Sequence, residues 1–353
     1  MLEFVGRPNT LRAPSIPPVP IVLLVIKAID NDGRLEPVRG FLTTPWESVV
    51  SDHTDRPAFA RTLADADAAI SMNWSAGFPA APRLKLLQLP GAGLDDIDFA
   101  AVPADASVCN AYEHEIGIAE FVLAAMLEWQ IRIQRMDTEF RQGRWWGGFL
   151  HGPRHQELFG RTLGIVGYGR IGREVAKRAC AFGMRVIAVN RTPRHGDGWC
   201  ECVSGMDGLR ELLAESHFVL AALPLDRHSH GVFDRRAFET MRRDAVIINV
   251  GRGLTIDEQA LFEACRDRLI GGAVIDTWYS YPAQGSDAGT IHRASRFAFH
   301  ELDNVVMTPH ASAWTDALIE RRCRIIAGNL DRLTRGEPLL NLVRGPSRTS
   351  VAA

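Results

Sequence analysis

The chain has 353 residues, of which 46% are hydrophobic and 23% are charged, enough apolar material for a large core and a length typical of two domains. Lysine and arginine number 40 against 42 aspartate and glutamate residues, so the net charge gives no electrostatic basis for binding nucleic acid or an anionic membrane. This composition excludes a disordered chain and favours chemistry on a small molecule.

The chain opens with a segment that lacks an apolar run and continues into a series of short strands. Residues 1–20 are rich in proline and contain Arg7 and Arg12, which predicts a loose extension rather than a signal peptide or a membrane anchor. The apolar stretch that follows is too short to cross a bilayer and predicts a buried strand. The predicted strands are 21–26, 84–89, 163–166, 185–189, 218–222, 245–249, 272–275 and 305–307.

Longer helix-like segments separate several of these strands, and the alternation predicts an α/β fold in which helices wrap parallel sheets. Residues 113–145 carry apolar side chains at helical spacing, among them Ile116, Val122 and Leu127, which predicts one long helix between two lobes. The sequence has no internal repeat at solenoid periods and no low-complexity tract.

A glycine-rich turn follows the predicted strand at 163–166 and precedes a helix-like segment. In a G-x-G-x-x-G turn, the first glycine permits a tight bend, the second lets the backbone approach a pyrophosphate, and the third lets helix and strand pack closely. A glycine-rich turn without a ligand is the alternative, but the strand before it and the helix after it favour a dinucleotide site. The predicted cofactor-binding residues of this turn are Gly167, Gly169, Arg170, Ile171 and Gly172.

The residue at the end of the next strand bears on the choice of cofactor. An aspartate or glutamate there accepts hydrogen bonds from the ribose 2′-hydroxyl of NAD, whereas this chain has Asn190. Arg191, Thr192 and Arg194 follow at once and supply positive charge and a hydroxyl donor where a 2′-phosphate would lie. These residues predict NADP as the favoured cofactor and NAD as the second choice. The alternative is two solvated arginines in a surface loop.

The cysteines are scattered singly except for one C-x-C pair, and no second pair or histidine cluster of zinc spacing accompanies it. The pattern predicts reduced thiols, a cytoplasmic protein and no metal site. The six residues are Cys109, Cys180, Cys200, Cys202, Cys265 and Cys323.

Seven short stretches of the sequence resemble, in order, the D-isomer-specific 2-hydroxyacid dehydrogenase family. They lie at 91–95, 118–120, 160–172, 223–225, 248–253, 273–276 and 308–310. The resemblance implies a Rossmann-type doubly wound parallel sheet inserted into a second, flavodoxin-like α/β domain, and a homodimer formed through the cofactor domain. The domains that it implies are an extension at 1–20, a substrate domain at 21–110 plus 311–353, and a dinucleotide-binding domain at 111–310.

The resemblance also implies two catalytic residues. Arg252 matches the arginine that grips the substrate carboxylate and polarises its carbonyl, and a guanidinium is always charged and binds carboxylates in a fork. His310 matches the acid/base that exchanges a proton with the carbonyl oxygen, which suits its near-neutral intrinsic pKa. From the residues alone, Arg252 also fits an ordinary turn and His310 also fits a structural histidine.

Further contacts are implied in the same way. Ala92 and Gly93 match the loop whose backbone amides receive the substrate carboxylate, where small residues permit close approach. Asp276 matches the residue that binds the nicotinamide carboxamide. For all of these positions, plain packing at a strand end is the alternative. The remaining positions expected to line the cofactor pocket are Leu223, Pro224 and Val250.

The chain departs from the family at one position. Where the family has a glutamate that hydrogen-bonds the catalytic histidine, this chain has Tyr281, which we also expect to contact the substrate. Formate dehydrogenases of the same superfamily have a glutamine there, so hydride transfer does not strictly require the carboxylate. Without it, His310 should titrate at or below its ordinary pKa of about 6.5. Alternative carboxylates in the same region are Asp287, Glu301 and Asp303.

Together these features predict an NAD(P)-dependent oxidoreductase that transfers a hydride between its cofactor and a small 2-oxo or 2-hydroxy acid. Two alternatives stay open. One is an oxidoreductase of an unusual small acid, such as formate or a phosphonate, and the other is a dinucleotide-sensing binding protein with weak catalysis. The motifs specify neither the acid nor the physiological direction.

Overall fold

The computed structural model describes residues 22–26, 37–51, 55–283, 286 and 289–346, and the predicted extension at 1–20 lies outside them. The strands are β1 (Val22–Ile26), β2 (Glu47–Ser51), β3 (Ala68–Ile70), β4 (Leu86–Gln88), β5 (Ser107–Cys109), β6 (Thr162–Val166), β7 (Arg185–Val189), β8 (Arg194–His195), β9 (Cys202–Ser204), β10 (Phe218–Ala221), β11 (Val246–Asn249), β12 (Gly272–Ile275), β13 (Val305–Met307) and β14 (Leu342–Arg344). The α-helices are α1 (Pro37–Phe41), α2 (Arg56–Asp65), α3 (Glu115–Ile131), α4 (Ile133–Arg141), α5 (Arg170–Ala181), α6 (Leu209–Glu215), α7 (Arg235–Thr240), α8 (Glu258–Arg266) and α9 (Asp316–Arg335).

The chain divides into two compact units, and the first comprises the described residues of 1–111 and 323–353. Its sheet has the strand order β2-β1-β3-β4-β5-β14, and the described strands pair in parallel except for β14, which is antiparallel to β5. The order 2-1-3-4-5 is that of a flavodoxin-like doubly wound sheet. One core of this unit packs Phe59, Leu63 and Trp74 together.

The second unit comprises residues 112–322 and contains a sheet of order β13-β12-β11-β10-β6-β7-β9-β8, parallel throughout except for β8 against β9. The chain enters at β6 in the middle, builds β7 and β9 on one side, and then crosses to build β10 to β13 on the other. This reversal opens a crevice beyond the carboxyl ends of β6 and β10, where ligands of such sheets bind. The predicted Rossmann-type α/β fold is confirmed.

The predicted strands are all present, with ends that differ by at most two residues. The single long helix predicted for 113–145 is wrong, because the helix breaks at Arg132 between α3 and α4 and α4 ends at Arg141. Arg132 has a left-handed φ of 63°, and its guanidinium carbon lies 4.5 Å from the ring centre of Trp129. Most strands that the sequence did not predict have two or three residues, too few for a periodic pattern.

Among the described residues, no helix combines the length and the apolar character needed to cross a membrane.

Candidate active site

The predicted phosphate-binding turn lies directly after β6, at the carboxyl edge of the second sheet. Gly167 has a φ of 101°, and a Cβ atom added to it would lie 2.6 Å from the carbonyl oxygen of Ala222. A Cβ atom at Gly172 would lie 2.7 Å from the carbonyl oxygen of Gly167. Neither position accommodates a side chain, so these glycines permit the bend of the turn and the close packing of α5 against it.

The first turn of α5 is suited to an anion. Its N-cap is Gly169, which has no capping side chain, and a Cβ atom added there would meet no described atom within 4 Å. The N-cap therefore offers no side-chain acceptor to the first-turn amides, and the helix dipole places positive charge beside them. This arrangement fits the diphosphate of a dinucleotide. In the same turn, the Arg170 guanidinium lies 4.1 Å from the ring centre of Tyr112, and Ile171 packs against the core.

The residues after β7 carry the positive charge that the sequence predicts, but a carboxylate lies beside it. Asn190 follows the strand directly, and Thr192 is exposed. Arg191 places its Nη1 atom 3.4 Å from Oδ2 of Asp226. Arg194 lies on β8 and donates a hydrogen bond to the backbone of the glycine turn. Sequence reasoning missed Asp226, because 35 residues separate it from Arg191.

Arg252 follows β11 in a turn that Asn249 holds. The Asn249 side chain accepts a hydrogen bond from the Gly251 amide at 3.1 Å and donates one to the Arg252 carbonyl oxygen at 3.2 Å. The Thr255 hydroxyl donates to the same carbonyl oxygen at 2.7 Å. These bonds fix the backbone that carries the half-buried Arg252 side chain. Sequence reasoning did not single out Asn249, although asparagine side chains commonly bond nearby backbone groups in turns.

His310 lies in the loop after β13 and has a left-handed φ of 56°. The fully buried carboxylate of Asp276, at the end of β12, holds this loop. It accepts hydrogen bonds from the Thr308 hydroxyl at 2.6 Å, the Ala311 amide at 2.8 Å and the Ser312 amide at 3.1 Å. Asp276 is therefore a structural anchor of the His310 loop, whatever contact it makes with a cofactor.

Tyr281 contacts His310 through its ring. The two ring centroids are 5.5 Å apart and the ring planes are inclined by 48°. The Tyr281 hydroxyl accepts a hydrogen bond from the Trp278 amide at 3.0 Å, and Trp278 Nε1 donates to the Thr308 carbonyl oxygen at 2.8 Å. Trp278, which sequence reasoning also missed, thus links Tyr281 to the loop that carries His310.

The structure gives other partners to the alternative carboxylates. Asp303 pairs with Arg268, and the Glu301 carboxylate lies 3.9 Å from His300. Asp287 lies outside the described residues. Neither Glu301 nor Asp303 is therefore placed as a partner for His310.

The electrostatic surroundings lower the pKa of His310 below its usual value. Partial removal of the ring from water is the main cause, although the residue as a whole is exposed to solvent. The charge of Arg252 lowers the pKa further, and the Asp276 carboxylate opposes both effects without outweighing them. The direction is the one expected when the family's glutamate is absent.

Other predicted cofactor contacts lie at the same sheet edge. Leu223 and Val250 are buried in the segments that follow β10 and β11, and the Pro224 carbonyl oxygen accepts a hydrogen bond from the Ser229 hydroxyl at 2.6 Å. Within the described part of the chain, no group of three or more histidine, cysteine, aspartate or glutamate side chains is arranged to hold a metal ion.

Ala92 and Gly93 belong to the first unit, in the loop after β4. The Asn110 side chain donates a hydrogen bond to the Ala92 carbonyl oxygen at 3.1 Å, and the Ala111 amide donates to the Gly91 carbonyl oxygen at 3.1 Å. The segment that follows β5 therefore holds this loop in place.

Comparisons with known proteins agree with this geometry. Residues 123–312 match the family described as D-isomer specific 2-hydroxyacid dehydrogenase, NAD binding domain. The glyoxylate reductase of Korarchaeum cryptofilum is 31% identical over 275 residues, which cover 75% of this chain and 78% of that protein. The D-3-phosphoglycerate dehydrogenase of Methanocaldococcus jannaschii is 32% identical over 269 residues, covering 76% of this chain but 49% of that protein, so the chain spans about half its length.

A solved structure extends the likeness to most of the chain. The probable 2-hydroxyacid dehydrogenase of Rhizobium etli CFN 42, in complex with NADP, HEPES and L(+)-tartaric acid, is 25% identical with a TM-score of 0.73. The match covers 92% of this chain and 98% of the other.

We expect the pKa of His310, measured by NMR titration of its imidazole nitrogens, to lie below about 6.5. Tyr281→Glu should raise it, because a carboxylate next to the ring favours the imidazolium form. Tyr281→Phe keeps the ring and adds no charge, so it is the control and should leave the pKa close to the wild-type value. A wild-type pKa above about 7 would reveal a carboxylate partner and contradict this account.

Proposed function

Because the chain belongs to the D-isomer specific 2-hydroxyacid dehydrogenase family, we propose that it is an NADPH-preferring reductase of small 2-oxoacids. Membership makes it an NAD(P)-dependent oxidoreductase that acts on the CH–OH group. The proposal is carried by an arrangement in one unit: the glycine turn follows β6, with no room for a side chain at Gly167 or Gly172, and Arg252 and His310 follow β11 and β13 of the same sheet.

In this proposal the second unit is the dinucleotide-binding domain and the first is the substrate domain. The first-turn amides of α5 hold the cofactor's diphosphate, and Arg191 and Arg194 face its 2′-phosphate. When bound, the nicotinamide supplies or accepts the hydride. Two observations support NADP in particular: Asn190 stands where NAD-binding proteins have a carboxylate, and the similar Rhizobium protein binds NADP.

Arg252 binds the substrate carboxylate and places positive charge beside the carbonyl oxygen, where negative charge develops during reduction. Protonated His310 donates a proton to that oxygen, and in the reverse direction neutral His310 removes it. Because the pKa of His310 is low, the proton donor is a minor form at neutral pH, and reduction is favoured by mild acid.

The name of the Korarchaeum relative points to glyoxylate or an acid of similar size as the substrate. Tyr281 favours a second candidate, an unusual small acid whose turnover needs no carboxylate-supported histidine. A spectrophotometric screen of 2-oxoacids, formate and phosphonates with NADPH and NADH separates the two. A vestigial dinucleotide sensor is disfavoured, because Arg252 and His310 are both retained.

A homodimer in the cytoplasm completes the proposal. An exposed apolar surface runs through α4 and the segment after it, and we name it the apolar arm. The arm consists of Ile133, Phe140, Trp145, Phe149, Leu150 and Phe159. Apolar side chains scattered singly are normal on the surface of a monomer, whereas six large ones exposed within residues 133–159 support burial of the arm against a second copy. The thiols of Cys109, Cys180, Cys200, Cys202 and Cys265 form no disulfide, which fits a reducing compartment.

Arg252→Ala should lower kcat/KM about 10²- to 10³-fold, because it removes a preorganised charge at the developing oxyanion. Its dissociation constant for NADPH should stay within about threefold of wild type, since the charge is aimed at the substrate. Arg266→Ala removes an exposed arginine paired with Asp267 and is the matched control. Normal turnover by Arg252→Ala would remove this residue from the mechanism.

NADPH should bind about 10- to 100-fold more tightly than NADH, since a charge-assisted contact to the 2′-phosphate contributes about 1.5–3 kcal/mol. Arg191→Ala should reduce this ratio by weakening NADPH alone. Isothermal titration with both cofactors measures the two affinities. Equal affinities in the wild type would refute the NADPH preference.

Phe149→Glu together with Leu150→Glu should convert a dimer into a monomer, because these side chains are 88% and 85% exposed in the single chain and would carry charge into the interface. Ile291→Glu is the matched control, since Ile291 is 97% exposed but lies outside the apolar arm. Light scattering coupled to size exclusion measures the mass. A monomeric wild type would contradict the proposal.

A further inference from the structure

The hairpin formed by β8 and β9 carries Arg194 to the glycine turn. β9 pairs in parallel with β7, and β8 folds back against β9 so that Arg194 lies opposite Val203. Arg194 donates a hydrogen bond to the carbonyl oxygen of Tyr168, and its guanidinium carbon lies 5.0 Å from the centre of the Tyr168 ring. The guanidinium thus lies near both the glycine turn and the end of β7, where the ribose of a dinucleotide is bound in sheets of this type.

One carboxylate, that of Asp197 in the hairpin loop, ties the hairpin to the turn. The hydroxyl of Tyr168 donates to Oδ1 of Asp197 at 2.8 Å, and the Trp199 amide donates to the same oxygen at 3.3 Å. Arg173, in the first turn of α5, places its Nε atom 3.1 Å from the other oxygen. Since Tyr168 is only 1% exposed, its hydroxyl is a fixed point for the hairpin.

Asp197 is ionised at neutral pH. Its partial burial raises the pKa, but the hydrogen bonds from Tyr168 and Trp199 and the charges of Arg173 and Arg194 hold it below its ordinary value. On Coulombic grounds alone, a negative charge here opposes a phosphate bound nearby. If Asp197 favours phosphate binding by positioning Arg194, that effect must therefore outweigh the repulsion between its carboxylate and the phosphate.

We propose that this hairpin sets the preference for a 2′-phosphate, with Tyr168 and Asp197 as positioning residues that hold Arg194 for it. The inference rests on the proposed preference for NADPH. A guanidinium that is already held loses less conformational freedom when it binds a ligand. It also has five N–H donors, so the bond to the Tyr168 carbonyl leaves others for a phosphate.

Asp226 is a second carboxylate near the proposed phosphate site, and removing its charge should have the opposite effect on phosphate binding. Its Oδ2 atom lies 3.4 Å from Nη1 of Arg191, an arginine of the proposed phosphate site. Among the described residues, its carboxylate makes no hydrogen bond to the glycine turn or to the hairpin, and it accepts bonds from the His228 and Ser229 amides instead. Removing its charge should strengthen 2′-phosphate binding. Electrostatics alone predicts the same outcome at Asp197, whereas positioning predicts a loss.

The experiment compares Tyr168→Phe, Asp197→Asn and Asp226→Asn in the full chain by isothermal titration with NADPH, NADH and adenosine 2′,5′-bisphosphate. We expect Tyr168→Phe and Asp197→Asn to lower the NADPH-to-NADH affinity ratio about three- to tenfold, the range of one lost hydrogen bond. Asp226→Asn should raise it by up to about fivefold. Unchanged NADH affinity in each variant shows that the domain stays folded, because NADH occupies the same turn.

A double-mutant cycle tests whether Tyr168 and Asp197 act through Arg194. In an Arg194→Ala background, Tyr168→Phe and Asp197→Asn should leave the affinity ratio unchanged, because the group that they position is gone. A higher ratio in Asp197→Asn, or equal effects with and without Arg194, would overturn the inference. Equal binding of NADPH and NADH by the wild type would instead refute the proposed cofactor preference. If the wild type prefers NADPH but the variants keep the same NADPH-to-NADH affinity ratio, only the role of the hairpin is refuted.

Discussion

The chemistry of the second unit depends on one buried carboxylate. Asp276 leaves the end of β12 and takes three hydrogen bonds from the loop that follows β13, and this loop carries His310 in a left-handed backbone conformation. A left-handed backbone conformation costs free energy at a histidine and persists only where the surrounding structure imposes it. The same carboxylate also moderates the pKa of His310. Asp276 therefore fixes the loop that carries His310 and partly offsets the effect of burial on the His310 pKa.

Tyr281 lies beside His310 without bringing a charge to it, and the loop that carries His310 is supported by other contacts. Support comes from Trp278, whose backbone amide bonds the Tyr281 hydroxyl and whose indole bonds the Thr308 carbonyl. Charge comes from Arg252, which destabilises the imidazolium, and from Asp276, which stabilises it less than burial and Arg252 destabilise it. In the proposed mechanism, His310 is an acid/base held in position by its loop, and its lowered pKa moves the working range toward lower pH.

Around the glycine turn, two carboxylates balance an excess of arginine side chains. Asp226 neutralises Arg191 in a largely exposed pair of small energetic value. Asp197 is bonded on both oxygens and joins the hairpin, the glycine turn and α5. Two acidic residues in one positively charged region therefore differ in kind, one adjusting the electrostatic potential and the other fixing geometry.

Much of this protein follows from local sequence. Apolar runs located eight strands, the glycine spacing located the turn at Gly167, and Asn190 marked the strand end that bears on cofactor choice. Motif resemblance indicated Arg252 and His310. Tertiary structure alone decided the break at Arg132 and the partners that tune the site, namely Asp197 for Tyr168, Thr308 for Asp276 and Asp226 for Arg191. The members of these pairs are 29, 32 and 35 residues apart, so no short-range sequence pattern predicts them. They meet because strand ends and loops from separate βα units converge at one edge of the sheet.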